Sequence, residues 1–187
     1  MGAGGTADDL ERTWDGEPIS KEPPFGTAVV VYRRLGAGAD APLAFLVLHR
    51  GQQGPDYAGE WAWGPPAGAR HPGEPVAACA ARELLEETGM RLPLLPTGVG
   101  TDDWPVYLAE ASTDAAAVLS AEHDRCAWLP LDAAATLVSP ERVRDSFLAA
   151  AALVPAERAG AAGAGGGWPL VRPCLGGETS GRRPALG

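Results

Sequence analysis

The chain has little of what would mark a secreted, membrane-spanning or nucleic-acid-binding protein. Its three cysteines, Cys79, Cys126 and Cys174, are odd in number, far apart and without a CxxC pair. That is neither a disulfide framework nor a zinc site, so buried or incidental thiols in a reducing compartment are expected. No run of about 18 apolar residues is available to span a bilayer. Residues 1–24 contain no apolar stretch of the secretory-signal kind. Lys21 is the only lysine, and the net charge is −9. A nucleic acid held by basic patches needs the opposite sign. A soluble, cytoplasmic protein without a membrane or nucleic-acid partner is expected. Small anionic substrates stay open, because a bound divalent cation reverses the local field.

What is present suffices for one folded domain with a proper core in 187 residues. Residues 1–24 are rich in Gly, Asp and Glu and read as a flexible N-terminal arm. Thr27–Arg34 and Leu43–Arg50 are apolar, β-branched runs and read as strands, the second buried on both faces. Strands are also expected over Leu92–Val99, Trp104–Glu110 and Cys126–Leu131, and a loose turn over Thr113–Ser120. Asp132 is placed to cap a short helix reaching Leu137. Ser139-Pro140-Glu141 reads as a helix start with Ser139 as N-cap, followed by an apolar stripe at Val143, Phe147, Ala150 and Ala151. Beyond Val154 the chain becomes Gly-, Ala- and Pro-rich, and residues 154–187 are expected to be a disordered tail with a small apolar patch at Trp168–Val171.

One stretch carries more chemistry than the rest. Gly68 to Met90 reads GARHPGEPVAACAARELLEETGM. Glu83, Glu86 and Glu87 fall at i, i+3 and i+4, which on a helix gathers three carboxylates within reach of a shared cation. Ala77, Ala78, Ala81, Leu84 and Leu85 fall roughly opposite, so that side is expected to bury and the acidic side to be left for chemistry. Pro75 suits the first turn, and Gly89 suits a left-handed C-terminal position.

The run Gly68, Glu74, Arg82-Glu83-Leu84-Leu85-Glu86-Glu87-Thr88-Gly89-Met90 resembles the Nudix box, G-x5-E-x7-R-E-U-x-E-E-x-G-U, with every fixed position filled. The approach to it, Trp63 to Gly68, resembles the family's W-x-x-P-G-G, with Ala67 in place of the first glycine. The resemblance covers about Gly26 to Leu153 and implies an α/β/α sandwich with a mixed sheet, in a Nudix hydrolase domain at 25–153. It implies a Mg²⁺-dependent hydrolase, with Mn²⁺ as a possible substitute, cleaving a phosphoanhydride of a nucleoside diphosphate linked to another moiety. Nucleoside triphosphates and dinucleoside polyphosphates are the leading substrates. It also implies that Glu83, Glu86 and Glu87 ligate the metal with the Gly68 carbonyl, and that Glu74, Arg82 and Gly89 hold the loop and helix together. A nucleotide-sensing module on the same fold is the alternative, although such members usually lose box glutamates and none is missing here.

Outside the box, Glu122 lies six residues before Trp128, an E-x5-W pattern found in several Nudix branches. There the acid is a metal ligand or the base that deprotonates water; a surface loop acid is the plain alternative. Arg50 ends a strand and can meet a phosphate with its fork, or be an ordinary exposed arginine. Trp61 and Trp63 can stack on a nucleobase or serve as core and rim aromatics. His49 reads as core or surface, His71 has no assigned role, and Cys79 reads as small core filler. The sequence leaves oligomeric state open.

Overall fold

The computed structural model describes residues 11–155, apart from 14, 15, 39, 52 and 53. Its elements are β1 (Gly26–Arg34), β2 (Leu43–Arg50), β3 (Trp63–Gly64), β4 (Ala67–Ala69), α1 (Val76–Thr88), β5 (Leu95–Thr101), β6 (Trp104–Ala111), β7 (His123–Leu129), α2 (Leu131–Leu137) and α3 (Glu141–Ala151). The main path of the sheet runs β3-β2-β1-β6-β5, with β4 paired to β1 and β7 to β2. β1 and β6 run parallel and the other pairs antiparallel, so the sheet is mixed.

The central strand explains the layering. Side chains alternate faces along a strand, and in β1 both faces are apolar. Val29 and Val31 pack toward Ala80 and Leu84 of α1, whereas Ala28, Val30 and Tyr32 pack toward Val138, Phe147 and Ala150 beneath α2 and α3. β2 repeats this, with Leu46 and Leu48 on the first side and Phe45 and Val47 on the second. The result is the α/β/α sandwich expected, with a core on each side of the sheet. Among the described residues no helix is long and apolar enough to cross a membrane.

Several local expectations need correction. α1 does not bury the alanine side: Ala77, Ala78 and Ala81 are exposed, whereas Cys79, Ala80, Glu83, Leu84, Glu87 and Thr88 are buried. Two adjacent i, i+4 rows face inward. Ala80 and Leu84 sit on the sheet, and Glu83 and Glu87 lie against the β4 segment. Polarity alone could not anticipate that seam.

The strand expected at Cys126–Leu131 lies at His123–Leu129, and Leu131 opens α2. The strand expected at Leu92–Val99 runs from Leu95 to Thr101. Ser139 does not cap α3, whose N-cap is Pro140 without a side-chain bond; the Ser139 hydroxyl instead accepts the Trp61 N–H at 3.2 Å. Cys79 is free and buried, as expected of a small core filler.

The described part of the N-terminal segment is tied to the domain. Arg70 is only 9% exposed and donates to the Pro24 carbonyl at 2.6 Å, the Glu22 carbonyl at 2.6 Å, the Ser20 hydroxyl at 2.8 Å and the Glu74 carbonyl at 2.8 Å. The expected tail, with its patch at 168–171, lies from residue 156 onward outside the described residues.

Candidate active site

A cleft of about 1280 Å³ opens beside β4 and α1. One wall is the loop–helix unit that follows β4. Gly68 pairs with Thr27 of β1, and a Cβ at Gly68 would fall inside the Glu83 carboxylate. Glycine is therefore required for α1 to bring Glu83 against the loop backbone.

Arg82 organises this wall. Its Nε and Nη2 donate to the two Glu74 oxygens at 2.8 and 2.9 Å, a bidentate pair. Nη2 also donates to the Ala69 carbonyl at 2.9 Å, and Nη1 donates to Glu83 at 2.7 Å and Glu86 at 3.1 Å. These contacts, Glu74 first, raise the guanidinium's pKa further. Burial pulls Glu74 upward, but the Arg82 bonds and the His71 N–H outweigh it and hold its carboxyl below the usual range. Gly89 closes the helix at φ 70°, its N–H donating to the Leu85 carbonyl.

The three box glutamates differ in environment. Glu86 is open, with its side chain 55% exposed. Glu83 is buried, and burial pushes its carboxyl up to about 7; Arg82 opposes this, while Glu86 and Glu122 add to it. Glu87 is more deeply buried and accepts the Ala67 N–H at 3.0 Å. Burial, then the negative charges of Glu83 and Glu122, push its carboxyl well above the ordinary range against the opposing pull of Ala67 and Arg50. A low-dielectric seam holding several carboxylates favours protons or a cation.

The opposite wall comes from distant parts of the chain. Glu122 immediately precedes β7, and its Oε1 lies 3.8 Å from Arg50 Nε at the end of β2. One oxygen each of Glu87 and Glu122 and one ring nitrogen of His123 lie within 4.8 Å of one another. Register slips between His49 and Arg50, which face Arg125 and His123 respectively and leave Asp124 unmatched. Such a bulge re-aims side chains, and here Glu122 and His123 both line the cleft. His123 Nδ1 is buried without a hydrogen-bond partner. Burial, then Arg50, push its pKa down to about 4, so the ring is neutral near pH 7.

The aromatic end of the cleft is built around two tryptophans. Trp63 is half-buried, its ring 5.0 Å from that of His49. Trp61 is 40% exposed, takes a left-handed φ of 69°, and lies under the Arg142 guanidinium at 4.8 Å. His49 is fully buried; its Nδ1 meets Asp124 Oδ1 at 2.5 Å and its Nε2 meets the Tyr57 carbonyl at 2.7 Å, pinning the loop ahead of β3 to β7. Cys79 lies one turn before Glu83, and burial pushes its thiol up to about 11, which leaves it protonated.

The structure thus brings Gly68, Glu83, Glu86, Glu87, Glu122, Arg50 and Trp63 to one cleft, with Glu74 and Gly89 supporting it from outside. Sequence reasoning assigned no role to His123 and did not single out Arg142. No periodicity marks either; each reaches the cleft through the bulge or through the packing of α3.

A mixed sheet between helices thus carries, at its edge, a loop–helix unit that gathers carboxylates into a cleft. The NUDIX domain model matches residues 24–149, and the chain belongs to that family. Three solved structures share the fold. A C. elegans Ap4A hydrolase in a binary complex is 23% identical, with 68% of this chain and 94% of that chain covered, at a TM-score of 0.53. The E. coli dihydroneopterin triphosphate pyrophosphohydrolase is 20% identical, with 69% and 94% covered, at 0.53. A Nudix hydrolase from M. smegmatis is 19% identical, with 81% and 99% covered, at 0.57.

Proposed function

We propose that the protein is a Mg²⁺-dependent hydrolase, with Mn²⁺ as a substitute, that cleaves a phosphoanhydride of a nucleoside diphosphate linked to another moiety. Nucleoside triphosphates and dinucleoside polyphosphates are the leading substrates. The observation that carries this reading is the convergence of buried Glu87, from α1, with Glu122, from the far wall, whose charge adds to the cost of ionising Glu87. An all-oxygen set of carboxylates fits a hard divalent cation. Glu83, Glu86, Glu87 and Glu122, with the Gly68 carbonyl, would hold it. When bound, it neutralises phosphate charge and makes water more acidic.

The chain's own groups supply the rest. Glu83, buried beside Arg82 and next to the other carboxylates, is one candidate for the general base. Glu122 is the second candidate, facing Arg50 across the cleft. Arg50, partly exposed at the cleft edge, is suited to a phosphate oxygen. Trp63, with Trp61 beside it, offers an aromatic surface to a base. The substrates named for two of the structural neighbours, a dinucleoside tetraphosphate and a triphosphate, both contain the linkage in question. The reading extends to a cytoplasmic enzyme with small-molecule partners; the net charge of −9 disfavours a nucleic-acid partner.

The test is a nucleotide panel assayed with Mg²⁺ and with EDTA, with products identified in ¹⁸O-labelled water. Metal-dependent release of a phosphate-containing product is expected, and the label reports which phosphorus is attacked. Nucleotide binding without release from any member would replace the reading with a nucleotide-sensing module.

A further inference from the structure

The wall opposite α1 carries a group the proposed reaction leaves unused. His123 is the first residue of β7, and its ring Nδ1 is buried without a partner. A ring nitrogen of His123 and carboxylate oxygens of Glu87 and Glu122 fall within 4.8 Å of one another. The chain has two other histidines. His49 has both ring nitrogens on oxygen atoms, and His71 belongs to the loop ahead of α1, where its N–H binds Glu74.

We propose that His123 gives an imidazole nitrogen to the divalent cation that Glu87 and Glu122 would hold, making the centre a mixed nitrogen–oxygen site in which His123 strengthens Mn²⁺ binding more than Mg²⁺ binding. The proposal rests on the metal-dependent reading above and departs from it in donor chemistry. Two ligands of one ion at bond lengths of about 2.1 Å stand at most about 4.2 Å apart. Donors within 4.8 Å therefore need only small side-chain rotations to share a cation. The bulge makes this possible: with Asp124 unmatched, Glu122 and His123 both reach the cleft instead of pointing to opposite faces. Two carboxylates would reduce the cation's charge, and the unpartnered ring of His123 would supply a third donor. Mg²⁺ demands oxygen, whereas a first-row transition ion gains from an imidazole nitrogen, Mn²⁺ the least of the series but more than Mg²⁺.

The test is pulsed electron paramagnetic resonance on the full chain loaded with Mn²⁺. Nitrogen modulation from a directly bound imidazole is expected in the wild type. It should change when histidine alone is ¹⁵N-labelled, persist in His71→Ala and vanish in His123→Ala. Binding titrations should show His123→Ala weakening Mn²⁺ by at least about tenfold, with Mg²⁺ affected by less than about threefold.

Bound Mn²⁺ without nitrogen modulation, or modulation lost in His71→Ala, overturns the proposal and leaves the carboxylate site intact. Equal losses for both metals overturn the stated difference between them. Failure of the wild type to bind Mn²⁺ at all overturns the metal-dependent reading as well. Should His123→Ala not fold, the isotope label and His71→Ala still decide the donor, because His49 has no free ring nitrogen.

Discussion

The two walls of the cleft were assembled in different ways. The α1 wall is one contiguous stretch: Arg82 binds Glu74 eight positions earlier, Glu83 beside it, Glu86 one turn on and the Ala69 carbonyl. The facing wall draws on the end of β2, the start of β7, the loop before β3 and the start of α3. The Trp61–Ser139 bond alone joins residues 78 positions apart. A contiguous wall is rigid through local bonds; a dispersed one depends on tertiary packing and can be varied piece by piece. Chemistry common to a family belongs on the first, and choice of substrate or metal on the second.

The contrast can be broken at its strongest point by Glu87→Gln. Turnover should fall roughly 10³-fold or more, the scale of several kcal/mol of metal-borne stabilisation. Circular dichroism should stay native, and the metal-free protein should melt no lower, because a buried carboxylate at odds with its surroundings has gone. Activity within about tenfold of wild type would remove Glu87 from the site.

Glu122→Gln tests the dispersed wall. A loss of at least about tenfold is expected, within the range for a positioned acid–base group or ligand; unchanged turnover would make it a surface acid. Trp61→Ala should act more weakly, raising KM by about threefold to tenfold with kcat little changed, the worth of one aromatic stack. A change in kcat alone would place Trp61 nearer the reacting atoms than the base.

The smallest effect concerns stability. Without metal, Glu83 is pushed up from 4.5 to about 7, and Glu87 is raised as well. Between those pH values the folded chain holds protons the unfolded chain has lost. This contribution is full below about 4.5 and disappears as pH rises through about 7. His123, pushed down to about 4, works the other way between about pH 4 and 6.5, so in EDTA the melting temperature should fall chiefly between about pH 6.5 and 8, and divalent metal should restore it at the upper end. Glu74 and Asp124, both held low, titrate beneath that window. A flat or rising profile across it in EDTA would contradict the burial of the two glutamates.

How much of this was legible follows the same division. The box could be read because its spacing is local, and the β2 boundaries, Leu43 to Arg50, because two faces of apolar residues leave a continuous run. The buried side of α1 could not. Alanine and leucine were the natural residues to bury, but Ala67's N–H and Arg82 draw Glu87 and Glu83 inward, and those partners are set by the third dimension. The bulge at Asp124 leaves no mark on periodicity. Ser139 carried every sign of a helix cap, yet its hydroxyl serves a backbone in a distant loop.

Arg70 has a practical consequence for where this domain ends. The family match begins at residue 24, but three oxygen acceptors of this almost buried guanidinium belong to Ser20, Glu22 and Pro24. At the other end, Arg34 donates to the carbonyl of Pro155 at 2.5 Å, beyond the matched residues. A chain trimmed to the family's limits would keep Pro24 and Glu74 but take away Ser20 and Glu22, two of the four acceptors of the Arg70 guanidinium two residues from Gly68, at a cost of about 1–3 kcal/mol or more. The folding unit is wider than the family signature, and its outermost residues brace the loop on which the glutamates depend.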